Sequence, residues 1–130
     1  MSTEIDDERA ITRLLAEYGN RLDRSDHDGW VSLFAADGEF QAYGRSWAGA
    51  DGLRTMATHA PAGLHLAGAP VIEVTGDRAT VQQSFLFVDQ ATRDTRIGFY
   101  DDDLVRTPEG WRFRSRRSTF LTPAGPSERP

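Results

Sequence analysis

The chain has 130 residues, enough for one domain with a single core, and its net charge of -5 disfavours nucleic acids and anionic membranes as partners. It contains no cysteine, which excludes thiol nucleophiles, disulfides and cysteine-bound metals. All 15 of its basic residues are arginines, which excludes a catalytic lysine.

The first predicted element is an amphipathic helix. Thr3 or Ser2 can cap its start, and the acidic residues at positions 4–8 complement the positive end of the helix dipole. Apolar side chains then recur at the spacing of one buried helical face, which places Tyr18 inward. Asp23 follows close to the predicted end of this helix.

A short helix and a turn are predicted next. Residues 26–28 form a capping cluster, and the helix after them carries Trp30, Leu33 and Phe34 on its inner side. The pair at 37–38, Asp-Gly, predicts a turn before the next strand.

One strand and a third helix complete the first half of the chain. Residues 39–43 read as a strand because β-favouring aromatic side chains occur there before Gly44. Gly49 and Asp51 mark the start of the third helix, which is predicted to stop before Pro61.

The second half of the chain is predicted to be an antiparallel meander followed by a tail. The four strands are Gly63–Glu73, Ala79–Asp89, Arg96–Arg106 and Trp111–Phe120. Helices followed by such a meander predict an α+β fold, with helices covering one face of a curved sheet. Residues 1–122 are thus predicted to form one domain, and residues 123–130 a Pro-rich tail that frays.

His65 is the main candidate for chemistry, because it interrupts an apolar run at residues 64–68. A half-buried imidazole needs a partner, and Asp23 and Asp89 are the carboxylates predicted to be within reach. Histidine titrates near physiological pH, so such a pair could move protons for an enzyme. The alternative reading is a hydrogen-bonded core histidine without a chemical role.

Strand periodicity predicts further polar groups on the inward face of the sheet. Gln83, Phe87 and Asp89 share one face of their strand, and Arg117 shares a face with the aromatics of the last strand. A bulge would instead turn Arg116 inward. The side chains predicted to line an internal cavity are Tyr18, Asp23, His65, Asp89 and Arg117.

Two stretches of the chain resemble the SnoaL-like branch of the nuclear transport factor 2-like superfamily. Residues 18–38, from Tyr18 to Gly38, resemble its opening, and residues 98–113, including Tyr100-Asp101-Asp102-Asp103, resemble its closing hairpin. His65 falls between them in the expected order. The resemblance implies a cone-shaped α+β fold, commonly a homodimer, whose cavity binds small and mostly apolar molecules.

Within that superfamily the chain is similar to scytalone dehydratases and bile-acid 7α-dehydratases, which are cofactor-free lyases. The resemblance gives active-site roles to Tyr18, Asp23 and His65, puts Asp89 at a second acid or histidine position, and leaves a late arginine as Arg117 or Arg116. The residues predicted to bind substrate are Arg117, Gln83, Phe87, Tyr43, Tyr100 and Trp30.

The predicted enzyme is a cofactor-independent and metal-free dehydratase, isomerase or cyclase. His65, held in one tautomer by Asp23, would remove a proton next to the carbonyl of a small polyketide- or steroid-like molecule. Tyr18 or Arg117 would stabilise the enolate oxygen, and Asp89 would assist the departure of water.

Two other functions remain open from the sequence. One is a non-catalytic binding or assembly module of the same fold, which has no need of a carboxylate beside His65. The other is an epoxide hydrolase that activates water with Asp89 or Asp23. Residues 1–4 lack the basic and apolar segments of a secretion signal, so we expect a cytoplasmic protein, paired as a twofold dimer through its uncovered sheet face.

Overall fold

A curved, open and mostly antiparallel sheet, with helices packed against one face, organises the molecule, which confirms the predicted α+β fold. The computed structural model describes residues 3–127. The helices are α1 (Glu4–Asp23), α2 (His27–Val31) and α3 (Gly49–His59). The strands are β1 (Phe34–Ala42), β2 (Arg45–Ala48), β3 (Gly63–Ala67), β4 (Val71–Thr75), β5 (Arg78–Asp89), β6 (Thr95–Thr107), β7 (Gly110–Thr122) and β8 (Gly125–Pro126).

The strands follow the spatial order β2-β1-β7-β6-β5-β3, with β4 also on β5 and β8 on β7. The β1–β7 pair is parallel and the other pairs are antiparallel. The long strands β5, β6 and β7 form the centre of the sheet. The helices cover the face of the sheet that carries the buried side chains of these three strands. Of the described helices, none has the length and apolar composition needed to cross a membrane.

Helix α1 begins and ends where its sequence predicts. The Thr3 hydroxyl accepts a hydrogen bond from the Asp6 backbone N–H, and the Asp6 carboxylate accepts one from the Thr3 backbone. This capping box is typically worth about 1 kcal/mol. Ser2, the other predicted cap, lies outside the described residues.

An ion pair fixes the start of α1 against the sheet. The Arg106 guanidinium donates hydrogen bonds of 2.7 and 3.0 Å to the two carboxylate oxygens of Asp7. The Trp111 indole N–H donates to the same carboxylate at 3.2 Å. Arg106 and Trp111 belong to β6 and β7, so these contacts set the direction in which α1 crosses the sheet.

The predictions for residues 33–38 are wrong, because a long-range pairing overrides the local pattern. Phe34 begins β1 instead of ending a helix, and residues 37–38 lie within β1 instead of forming a turn. The Phe113 backbone N–H donates to the Leu33 carbonyl at 2.9 Å, and the β1–β7 register then shifts before Glu39. At Gly38 a Cβ would lie 2.8 Å from the Phe113 carbonyl oxygen, which explains the glycine at this close approach.

Three further segments differ from the sequence predictions. The predicted strand at 63–73 is two strands, β3 and β4, separated at residues 68–70, and both pair with the 12-residue β5. Strand β2 was not predicted; it follows a turn in which Tyr43 has φ 53° and Gly44 has φ 65°. Strand β8 pairs with the end of β7, so this part of the predicted tail is attached to the sheet. Residues 128–130 of that tail lie outside the described residues.

Candidate active site

The His65 side chain on β3 meets the last residue of α1. The distance between His65 Nδ1 and Asp23 Oδ1 is 2.6 Å, and the other oxygen, Asp23 Oδ2, accepts the His65 backbone N–H at 2.8 Å. Both side chains are mostly buried. The predicted contact between His65 and a carboxylate is therefore present, with Asp23 as the partner.

This geometry selects one tautomer of His65. An ionised carboxylate can only accept hydrogen bonds, so the proton of the neutral ring sits on Nδ1 and is donated to Asp23. The lone pair then lies on Nε2, which is the nitrogen left to meet a ligand. The backbone hydrogen bond fixes the Asp23 carboxylate, and the carboxylate in turn fixes the ring.

His65 lies on the wall of a cavity of about 570 Å³. This volume falls within the usual range for a small-molecule site. Most of the wall is apolar or aromatic, and its larger apolar members are Leu22, Phe40, Trp47, Met56, Phe85, Phe87 and Phe120. The ring centroids of Phe87 and His65 are 4.6 Å apart.

Two glycines make room for the phenyl rings of β5. A Cβ on Gly98 would lie 2.8 Å from the Phe85 ring, and a Cβ on Gly63 would lie 2.6 Å from the Phe87 ring. The Phe85 ring therefore lies over Gly98 of β6, and the Phe87 ring lies over Gly63 of β3, in the space that a side chain at each glycine would fill. In this way the backbone of β3 and β6 lets β5 present an aromatic surface to the cavity.

Tyr18 and Tyr100 are both buried and belong to the wall of the same cavity. Burial raises the pKa of Tyr18 well above its ordinary value and raises the pKa of Tyr100 to about 12. Both side chains therefore stay protonated at neutral pH and can donate hydrogen bonds. The Tyr18 ring meets the His65 ring edge to face, with centroids 6.5 Å apart.

Arg116, and not Arg117, points inward. The β6–β7 register shifts between Asp103 and Leu104, so that Asp103 pairs with Ser115 and Leu104 with Phe113. The extra residue in β7 reverses the alternation of side chains beyond it. Arg116 is consequently fully buried, whereas Arg117 lies exposed on the outer face, and the prediction that Arg117 lines the cavity is wrong.

The buried Arg116 forms an ion pair that the sequence reading missed. Its Nε and Nη2 donate to the Asp102 carboxylate at 2.7 and 2.9 Å, and Nη2 also donates to Gln83 at 3.1 Å. Burial raises the pKa of Asp102, and the Arg116 charge opposes that shift. Asp102 shares the inward face of β6 with Tyr100, so the period of the strand could have revealed it.

Aromatic rings surround the Arg116 guanidinium. Its Cζ lies 4.2 Å from the Tyr18 ring centroid and 3.7 Å from that of Tyr100. Its Nη1 has no hydrogen-bond partner among residues 3–127. Arg116 is not part of the wall of the 570 Å³ cavity, but it contacts the two tyrosine rings that are.

Asp89 is a turn residue and does not reach the cavity. One of its carboxylate oxygens accepts the backbone N–H groups of Ala91 and Thr92 at 2.9 and 3.0 Å. These hydrogen bonds lower its pKa, so it is ionised at neutral pH. The structure therefore contradicts its predicted place as an acid in the site.

The remaining predicted residues divide between the cavity and the core. Of the residues predicted to bind substrate, Tyr43, Phe87 and Tyr100 line the cavity. Trp30 is fully buried in the core and Gln83 bonds to Arg116 and the Gly68 carbonyl, so neither lines it. The polar wall residues that the sequence reading missed are Arg45, Thr55, His59, Arg96 and Ser118.

Within the described range 3–127, no three His, Asp or Glu side chains are grouped to hold a metal ion. The polar groups around His65 are proton donors, proton acceptors and cations. The arrangement can thus take a proton at His65 Nε2, and the two tyrosine hydroxyls can donate to an oxygen of a bound molecule.

Several known proteins are similar to this chain. An uncharacterized protein of Mycobacterium tuberculosis is 30% identical, over 89% of this chain and 86% of that protein. The structure of a candidate scytalone dehydratase from Novosphingobium aromaticivorans is 23% identical, with a TM-score of 0.77 over 91% of this chain and 86% of that chain. The hexachlorocyclohexane dehydrochlorinase LinA-type3 from Novosphingobium barchaimii is 15% identical, also with a TM-score of 0.77, over 91% of this chain and 88% of that chain.

At these identities the two structures establish a shared fold. The sequence profile of the SnoaL-like domain matches residues 3–117. The chain therefore belongs to the SnoaL-like domain family of the nuclear transport factor 2-like superfamily, as the resemblance predicted.

Proposed function

We propose that the protein is a cofactor-independent lyase or isomerase that removes a proton next to the carbonyl of a small, largely apolar molecule. The observation that carries the proposal is the His65–Asp23 pair on the wall of an aromatic cavity. A histidine with only a structural role could also bond to a carboxylate, but it would not need a ligand-sized space beside it.

The first step would be proton transfer from carbon to His65 Nε2. As the C–H bond breaks, its electron pair moves into the carbonyl group and forms an enolate. The imidazolium that results faces the Asp23 carboxylate, which stabilises it. The Tyr18 or Tyr100 hydroxyl would donate to the enolate oxygen, a contribution of roughly 3 to 4 kcal/mol per donor.

The second step would return the proton. In a dehydration, the enolate electron pair forms a C=C bond as the C–O bond of a β-hydroxyl group breaks, and the His65 imidazolium protonates the departing oxygen to give water. Because Asp89 is a turn carboxylate outside the cavity, His65 itself is the better candidate for this acid. Reprotonation at another carbon would give isomerisation, and attack of the enolate on a second carbonyl would give ring closure.

The cavity wall suits an apolar substrate. Phe40, Phe85, Phe87 and Phe120 are among the rings that a planar hydrocarbon skeleton would contact. Such a wall also excludes water, which strengthens the electrostatic effect of the tyrosine hydroxyls on the enolate. The likeness in fold to an enzyme that removes HCl and to a candidate dehydratase supports an elimination of this kind.

The proposal is tested with α-tetralone, a bicyclic aromatic ketone, by following the exchange of its α-protons in D₂O by NMR. The protein should accelerate this exchange above the buffer rate. His65→Ala should lower the protein-catalysed rate by roughly 100- to 10,000-fold, as expected for the loss of a general base. His27→Ala removes a histidine that is not part of the cavity wall and should leave the rate unchanged.

Thermal unfolding of the same variants is the control for structure. If His65→Ala exchanges α-tetralone as fast per folded molecule as the unmodified protein, His65 is not the base. If the ketone binds in the cavity and its protons exchange only at the buffer rate, the non-catalytic binding module becomes the better description of the protein.

A further inference from the structure

The charges on the cavity wall carry information about the substrate beyond its apolar skeleton. We infer that the substrate bears a carboxylate, and that Arg96 binds this group beside His65. The inference rests on the proposed function, because it takes the reacting carbon to lie at His65.

The charged residues on the described wall of the cavity are two arginines. Arg45 and Arg96 belong to it, together with the imidazoles of His59 and His65, and no Asp or Glu does. This distribution contrasts with the chain as a whole, which has 20 acidic residues and a net charge of -5. A cavity whose charged groups are all basic attracts anions and disfavours cations, especially where apolar walls keep the dielectric constant low.

The sheet places Arg96 in line with His65. On the inward face His65 pairs with Phe87 across β3 and β5, and Phe87 pairs with Arg96 across β5 and β6. Two strand spacings therefore separate the histidine and the arginine, a distance of about 10 Å between their backbones. The Arg96 guanidinium lies 5.9 Å from the Phe87 ring centroid, and the His65 ring lies 4.6 Å from it.

A ligand resting on Phe87 would thus meet the base at one end and the guanidinium at the other. A planar aromatic ketone with a carboxylate on its far side has this shape. The carboxylate would also fix which C–H bond faces His65 Nε2, because a guanidinium binds a carboxylate in a defined plane through two parallel hydrogen bonds.

Arg96 is available for such a ligand. It forms no hydrogen bond or ion pair with any described residue, it is exposed, and it belongs to the cavity wall. Asp89 is the acidic residue whose pKa it helps to lower, but backbone hydrogen bonds from Ala91 and Thr92 are the larger causes of that shift. Arg45 lies over Trp47 on β2, at the opposite edge of the sheet from His65 on β3, so it is the less suitable anchor.

The test compares naphthoate, an aromatic carboxylate, with naphthamide, its neutral analogue. Binding of each probe to the full chain is measured by titration calorimetry at low salt. Naphthoate should bind about tenfold more tightly than naphthamide, and Arg96→Gln should remove most of this preference. Arg9→Gln makes the same change of charge on an exposed face of α1 away from the cavity and should retain it.

Each outcome decides the inference. Equal binding of the two probes, no saturable binding of either, or equal loss of the preference in Arg96→Gln and Arg9→Gln would overturn it. Loss of the preference in Arg45→Gln but not in Arg96→Gln would overturn the assignment to Arg96. His65→Ala should keep the preference, so a failure of α-tetralone exchange and a failure of anion binding are distinguishable.

Discussion

Replacing Asp102 with asparagine should destabilise the protein strongly, because it leaves the Arg116 charge without a counterion. Arg116 has no exposed surface, and two of its hydrogen bonds end on the Asp102 carboxylate. Arginine keeps its proton in proteins, so the buried cation cannot neutralise itself. The remaining partner, the amide oxygen of Gln83, accepts a hydrogen bond from Arg116 but is neutral, so it does not balance the charge.

The expected loss is about 3 to 5 kcal/mol in the free energy of unfolding, the usual cost of breaking a buried ion pair from one side. Unfolding entropy of roughly 2.1 cal/mol/K per residue gives about 0.27 kcal/mol/K for 130 residues. The melting temperature should therefore fall by about 11 to 18 °C. Differential scanning calorimetry measures both quantities.

Asp101→Asn is the matched control, because Asp101 is the preceding residue on the exposed face of the same strand. It should change the free energy of unfolding by less than about 0.5 kcal/mol. If Asp102→Asn is as stable as Asp101→Asn, the buried pair does not contribute as its geometry indicates. Replacing both partners, in Asp102→Asn/Arg116→Met, should restore part of the loss because no charge then remains buried.

Two further predictions concern alkaline pH and assembly. Because the folded protein holds the Tyr100 proton to a pKa of about 12, against 10.0 for an ordinary tyrosine, the unfolded chain ionises first and stability falls as pH rises between these values. Tyr100 should account for about 3 kcal/mol of that fall. In urea denaturation, the free energy of unfolding of Tyr100→Phe should therefore depend less on pH than that of the unmodified protein. An equal pH dependence of the two proteins would contradict the assignment to Tyr100. We also propose that the outer face of the sheet pairs with a second copy of the chain, because it exposes the apolar side chains of Leu64, Leu66, Ile97 and Phe99. Light scattering at micromolar concentration should then give a mass of twice 14.5 kDa. The mass of a single chain would contradict this proposal.

Local patterns were sufficient to predict the elements that depend on local interactions. The capped, amphipathic α1 and the central strands β5, β6 and β7 lie within two residues of their predicted bounds. Local patterns could not predict the parallel pairing of β1 with β7, because it joins residues far apart in the chain. That pairing also turned the predicted helical Phe34 and the predicted turn at 37–38 into strand.

The His65–Asp23 part of the candidate site was predictable, because a polar residue stands in an otherwise apolar run. His65 breaks an apolar run, and its partner Asp23 ends a helix whose face is clear from the sequence. Arg117 was misassigned because one extra residue in β7 reverses which side chains face inward, and a strand's period alone does not locate a bulge. Asp89 was misassigned because a residue at a strand end can either continue the inward face or cap the turn.

The central claim is that His65 and Asp23 act as one unit in proton transfer. Asp23 accepts both the backbone N–H and the ring N–H of His65, and an asparagine side chain has only one oxygen for these two donors. If that oxygen takes the backbone N–H, the amide N–H of the substituted side chain would face Nδ1 and move the ring proton to Nε2. Asp23→Asn should therefore remove the basic lone pair from the cavity while leaving the fold intact.

The most direct test is the α-tetralone exchange rate of the double variant His65→Ala/Asp23→Asn, measured beside the two single variants. If the residues act together, the double variant should be no slower than His65→Ala alone, because Asp23 has no effect once the imidazole is gone. If the two losses multiply in the double variant, Asp23 and His65 contribute independently, and the proposed pair is not the catalytic unit.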